Sequence, residues 1–178
     1  MSSLEQQQRG LLAIIKHRPV ATDADPWLAR VEGSREAALL SEIALWWRRF
    51  QIESQCRYTS RLLKRLGCYE AEVQRYFESN ATSPYIEKMT TCFLRSLNKH
   101  PNALVKSVAR FELACLNLDE SVKRSRIIWD RNPDLTFRAL EQRTDLPEAE
   151  HGYLYVMDLS IDIHGSVSLS RIQHAEYM

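Results

Sequence analysis

The chain has 178 residues, 44% of them hydrophobic and 26% charged, with 24 basic and 23 acidic side chains for a net charge of +1. That composition suits an ordinary globular protein with one substantial core or two small ones, and near-neutrality argues against a broad phosphate-binding surface, which needs concentrated Lys and Arg. The opening Met1-Ser2-Ser3-Leu4-Glu5-Gln6-Gln7-Gln8-Arg9 lacks the basic-then-apolar order of a signal peptide, and no apolar run approaches the ~20 residues of a membrane span; the expectation is a cytoplasmic protein with no membrane contact.

Apolar residues recur every three or four positions from Glu5 to Leu116, and near Leu118 the pattern changes to short extended runs. The expected class is therefore α+β: a helical domain over residues 1–118, then a small domain over 119–178 with a three-stranded antiparallel sheet and one short helix. A first helix is predicted over Ser3 to His17, with Leu4, Leu11, Leu12, Ile14 and Ile15 buried, ending before Pro19. Asp23-Ala24-Asp25-Pro26-Trp27 starts a short helix or turn. Ser34 caps the next long helix, in which Leu39, Ile43, Trp47 and Phe50, at steps of four, four and three, predict a core face. Trp46 and Trp47 are adjacent and cannot both face inward, so one of them covers a neighbouring helix or a partner-facing groove.

Thr59 to Leu66 and Tyr69 to Ser79 read as two shorter helices divided at Gly67, a left-handed cap. Ser83-Pro84 places a cap oxygen before a proline at the first helical position, and Ile86, Met89, Phe93 and Leu97 follow as an apolar face. After Pro101 the stripe Leu104, Val108, Phe111 and Cys115 predicts another helix, and Glu112 beside it is expected to be partly buried against Arg110 or a facing arginine. Asn132-Pro133-Asp134 predicts a short helix to Gln142. Gly152 to Ser160 is apolar on both alternating sets and suits a central strand, while Ser166 to Ile172 and the basic run Val122 to Trp129 suit edges, with His164-Gly165 as a hairpin turn.

Cys56, Cys68, Cys92 and Cys115 form no C-x-x-C pair and read as buried or half-buried free thiols. His17, His100, His151, His164 and His174 lack ligand spacing, so no metal is predicted in this chain, and neither a G-x-S-x-G nor a Cys/His arrangement supports a hydrolase.

Trp47-Arg48-Arg49-Phe50-Gln51, Tyr58-Thr59-Ser60-Arg61-Leu62-Leu63, Thr82-Ser83-Pro84-Tyr85-Ile86-Glu87 with Phe93-Leu94, Ala109-Arg110-Phe111-Glu112-Leu113-Ala114, and Trp129-Asp130 with Asn132-Pro133 are the residues that carry a family likeness. Over about residues 35–172 the chain resembles the partner proteins of multinuclear non-haem iron-dependent oxidative enzymes that modify ribosomally made peptides, as in the methanobactin and thiaglutamate pathways. The resemblance implies a non-catalytic subunit with no cofactor of its own. Its helical part docks on the iron-containing oxidase as a heterodimer, and its C-terminal unit, similar to a peptide recognition element, holds the leader of the precursor peptide.

An extended leader adds a strand to an open sheet edge, where main-chain hydrogen bonds supply affinity. The site is expected on Val167, Ser168, Leu169, Ser170 and Arg171, with Val167 and Leu169 facing the core; the basic strand with Arg124, Arg126 and Ile128 is the second choice. Trp46 is the expected anchor of the oxidase interface, since binding hot spots favour Trp, Tyr and Arg. Helices beside a strand hairpin also describe a winged-helix DNA-binding regulator, against which neutral charge and the lack of an isolated basic recognition helix count. A helical scaffold or chaperone without a peptide ligand is the third reading.

Overall fold

A computed structural model describes residues 4–16, 25–79, 86–118, 123–160 and 166–173, without the side chains of 86 and 87. In chain order its elements are α1 (Leu4–Ile15), α2 (Pro26–Glu32), α3 (Arg35–Gln55), α4 (Arg57–Arg65), α5 (Tyr69–Ser79), α6 (Ile86–Ser96), α7 (Ala103–Asn117), β1 (Arg124–Trp129), α8 (Pro133–Gln142), β2 (Tyr153–Ser160) and β3 (Ser166–Gln173). The class is α+β, as the change of periodicity predicts, and the predicted junction at residue 118 falls between α7 and β1.

Local chemistry places most of the boundaries. Asp25 accepts from the Trp27 amide at 2.9 Å with Pro26 in the first turn of α2. Ser34 accepts from Ala37 N at 3.1 Å, and Asn132 accepts from the amides of Asp134 and Leu135 ahead of α8; each side-chain oxygen satisfies an amide that the first helical turn leaves unpaired. Gly67 takes φ +68° between α4 and α5, the left-handed conformation that glycine adopts without steric cost. The Ser83-Pro84 cap and the His164-Gly165 turn lie outside the described residues.

The three strands are antiparallel in the order β1-β2-β3, so β2 is central and the other two are edges. Tyr155, Met157 and Leu159 stand opposite Trp129, Ile127 and Ser125 of β1 and opposite Arg171, Leu169 and Val167 of β3, so these residues share one face of the sheet. That face packs on helices. Trp129, Tyr155, Met157 and Leu159 join Phe93, Leu94, Leu104, Val105 and Val108 in a single buried cluster, and each fully buried large apolar side chain contributes about 1.5–3 kcal/mol. Phe137 of α8 lies 4.5 Å from Phe111, 4.7 Å from Tyr58 and 5.4 Å from Trp129, tying α4, α7, α8 and β1 together through ring contacts.

Four expectations about burial are corrected. Glu112 is buried, but its partner is no arginine: its two carboxylate oxygens accept from the backbone amides of Tyr58 at 2.7 Å and Thr59 at 3.0 Å. The carboxylate caps the start of α4, where free amides and the helix dipole favour negative charge. Burial raises its pKa, and the hydrogen bonds from Thr59 and Tyr58 oppose that rise. Among the cysteines, Cys56 is buried and Cys68 half-buried, whereas Cys92 and Cys115 are exposed. In α1, Ile14 is buried, but Leu4 and Leu12 are exposed. The fourth concerns α3, whose outward face is described below.

Candidate functional site: an open sheet edge and an uncovered helix face

Strand β3 runs for 8 residues, and every one of them except Ile172 is exposed. It pairs with β2 on one side, and among the described residues nothing pairs with its outer edge. Val167 and Leu169 lie on the core-side face of the sheet by register, yet they are 59% and 37% exposed, because the helices cover β1 and β2 but stop short of β3. The expectation that both face the core is therefore corrected in part: they lie on the core side of the sheet but stay outside the buried cluster. A half-empty ledge beside an unpaired backbone edge is what strand addition requires, since an incoming chain fills the ledge with alternate side chains while it completes the ladder.

Ser168 and Ser170 lie on the opposite, open face, across from Asp158 and Val156. On that face the Arg126 guanidinium grips Asp158 through two bonds of 2.7 and 3.1 Å, and this hydrogen bonding holds the Asp158 carboxyl below its ordinary range. Arg124, Arg126, Asp158 and Ser168 line a depression of about 310 Å³ there. Arg171 is anchored within the sheet: it bonds Glu150 at 2.5 Å and stacks 3.9 Å above the Tyr153 ring. The Tyr155 hydroxyl also donates to Glu150, which raises the tyrosine pKa.

The competing edge is less open. Strand β1 lies against α7, and the Ser107 hydroxyl of that helix donates to the Ile128 carbonyl at 3.0 Å. Ile128 itself is half-buried, while Arg124 and Arg126 are exposed and already engaged. Of the two predicted edges, β3 has the more accessible backbone.

Helix α3 supplies the second surface. Leu39, Leu40, Ile43, Trp46, Trp47 and Phe50 are all exposed, Trp46 to 61%, which overturns the prediction that Leu39, Ile43, Trp47 and Phe50 form a core face. The residues that α3 buries are Ala37, Ser41, Gln51 and Ile52, and the Tyr69 hydroxyl donates to the Arg49 carbonyl at 2.6 Å. The first half of the helix thus turns its small residues Ala37 and Ser41 inward, Ile52 near its end joins the main core, and the large side chains from Leu39 to Phe50 named above face outward. The outward rings form a stack of their own, with Phe50 centred 5.9 Å from Trp46 and 5.6 Å from Trp47. Together these side chains leave on the order of 600 Å² of apolar surface uncovered, at the top of the range of the largest patches on ordinary monomers.

Trp46 is exposed, as an interface anchor would be, and the exposure of its neighbours was not expected, because a stripe at helical spacing carries no label saying whether the chain's own core covers it. The signal was present on the opposite face: Ser41, Arg48 and Gln51 also recur at helical spacing, and a helix with one large-apolar and one small-polar face has two candidates for inside. Among the described residues no helix is long and apolar enough to cross a membrane. Compared with known protein families, curated proteins and solved structures, the chain matches none.

Proposed function

We propose that the chain is a cytoplasmic, non-catalytic accessory subunit that binds the leader of a ribosomally made precursor peptide on β3 and presents it to a partner multinuclear non-haem iron oxidase docked on the outward face of α3. The observation that carries this reading is the edge of β3, an exposed strand with an unpaired backbone and an unfilled apolar ledge formed by Val167 and Leu169. Natural proteins commonly cover or charge such edges because they recruit other strands. An edge left open is suited to a strand supplied by another chain. Holding the leader near the oxidase raises the effective concentration of the reacting end of the peptide into roughly the millimolar range for a short flexible tether, so the subunit needs no chemistry of its own.

The uncovered α3 face supports the second half of the reading. Its area approaches the ~800 Å² that each partner contributes to a standard interface, and the stacked Trp46, Trp47 and Phe50 have the composition of a binding hot spot. The iron and the oxidative chemistry belong to the partner enzyme.

Titration of a labelled leader peptide against folded variants tests the site. Proline removes a backbone donor and fixes φ, so Ser168→Pro or Ser170→Pro weakens binding more than alanine at the same position, by about 1–3 kcal/mol for one or two lost main-chain hydrogen bonds. Arg126→Glu leaves affinity nearly unchanged if the leader lies on β3 and reduces it if an acidic leader lies on β1. Unchanged affinity in all three variants removes strand addition. Co-expression with a multinuclear iron oxidase encoded beside this chain tests the docking: two separately eluting proteins, with an oxidase fully active alone, contradict it.

A further inference from the structure

A third surface is used by neither the leader nor the oxidase in this reading. Between α4 and α8 lies a recess of about 460 Å³, lined by Glu53, Arg61, Lys64, Arg65, Leu140 and Arg143 among others. Two of its four cations are neutralised within the chain: Lys64 is held by Glu53, and Arg65 by Asp145 at 3.1 Å and by the Thr144 carbonyl. Arg61 and Arg143 form no ion pair among the described residues. Arg61 Nη1 is buried and has no hydrogen-bond partner among the described residues, and a buried donor is seldom left unmade without a reason.

Arg143 adds an independent observation. It ends α8 at φ 59° and ψ 28°, and the Thr144 amide closes the turn on the Ala139 carbonyl at 3.1 Å. Helices that end this way ordinarily place Gly at the left-handed position, because a Cβ is strained there. Here the position is occupied by a guanidinium that lines the recess, and strained non-glycine positions cluster where function requires the side chain.

We propose that the recess is an oxyanion-binding site, in which the Arg61 and Arg143 guanidinium groups hold a carboxylate or phosphate group between α4 and α8. Arginine suits this chemistry because its planar fork gives two parallel bonds to two oxygens of one anion. Lys64 and Arg65 contribute to the rim. The site takes a small anion or an acidic side chain, and it stands independently of the leader reading.

Calorimetric titration of the full chain at low ionic strength tests the proposal, with inorganic phosphate in one arm and a blocked tetraglutamate peptide in the other. Sodium chloride at matched ionic strength is the blank. At least one arm shows saturable binding; tighter binding of phosphate identifies a phosphate group as the preferred ligand, and tighter binding of the peptide identifies a carboxylate. Arg61→Gln and Arg143→Gly each weaken that binding about tenfold, the effect of losing a charge-assisted hydrogen bond. Arg143→Gly also raises the melting temperature, because it relieves the left-handed strain, so lost affinity in that variant cannot come from a damaged fold. The proposal is overturned if both anions behave like chloride, or if both variants bind as the wild type does.

Discussion

Helices α3 and α7 carry large apolar residues at nearly the same spacing, Leu39, Ile43, Trp47 and Phe50 in one and Leu104, Val108 and Phe111 in the other, yet the first set is exposed and the second is buried or half-buried. Helix α7 buries Leu104, Val105, Val108 and Ala109 in the main cluster and is enclosed by α4, α6 and β1. Helix α3 buries Ala37, Ser41, Gln51 and Ile52 and leaves Leu39, Ile43, Trp47 and Phe50 in solvent. Periodicity reveals that a helix has an apolar face. It does not reveal whether the same chain covers that face, and the difference between these two helices is the physical basis for proposing a partner on α3.

Substitutions break or sharpen this contrast, and the largest effect is expected in the core that α7 anchors. Phe93 is fully buried beside that helix, so Phe93→Ala lowers stability by about 3–5 kcal/mol through lost transfer energy and the cavity left behind, read by denaturant unfolding. Trp46→Ala, on the exposed face, changes stability by no more than about 0.5 kcal/mol. The same substitution weakens oxidase binding by about 2 kcal/mol or more if the face is a hot spot, which co-elution or surface binding measures. A Trp46→Ala variant as destabilised as Phe93→Ala would place the α3 face in the core of the folded chain and end the comparison.

Glu112 gives a smaller, pH-dependent effect on the α7 side. Burial raises its pKa in the folded protein above the ordinary value of 4.5, so the folded state binds this proton more tightly than the unfolded chain. The associated stability is fully present below the ordinary value and is lost as pH rises through the folded pKa. Glu112→Gln removes the titration; the stability of the wild type relative to this variant is greatest at low pH and falls on going toward neutrality. A relative stability that instead increases with pH over that window would mean that the two amide bonds outweigh desolvation. The smallest effect belongs to the sheet surface. Arg126→Ala breaks the pair with Asp158, which is largely solvated, and changes stability by no more than a few tenths of a kcal/mol.

Elements that depend on local chemistry were legible in the sequence. The caps Ser34 and Asn132, the left-handed Gly67, and a central β2 between two polar edges all follow from residues within a few positions of the feature they create. What sequence reasoning could not reach depends on partners distant in the chain. Glu112 finds its amides 54 and 53 positions away in α4, and no neighbouring residue announces them. Val167 and Leu169 alternate as a half-buried strand should, but the reach of the helices over the sheet decides their cover, and that reach stops at β2. The recess between α4 and α8 was invisible for the same reason: Arg61 and Arg143 are brought together by packing, and an arginine at a left-handed cap is recognisable only once the backbone is seen.

Hydrogen exchange of the free chain and of the chain with the leader peptide tests the central claim most directly, because the claim is about one row of backbone amides. The account predicts slowed exchange confined to residues 166–173 on adding the peptide, with β1 unaffected. Protection at residues 124–129 instead, or no change along either edge at a saturating peptide concentration, would contradict it.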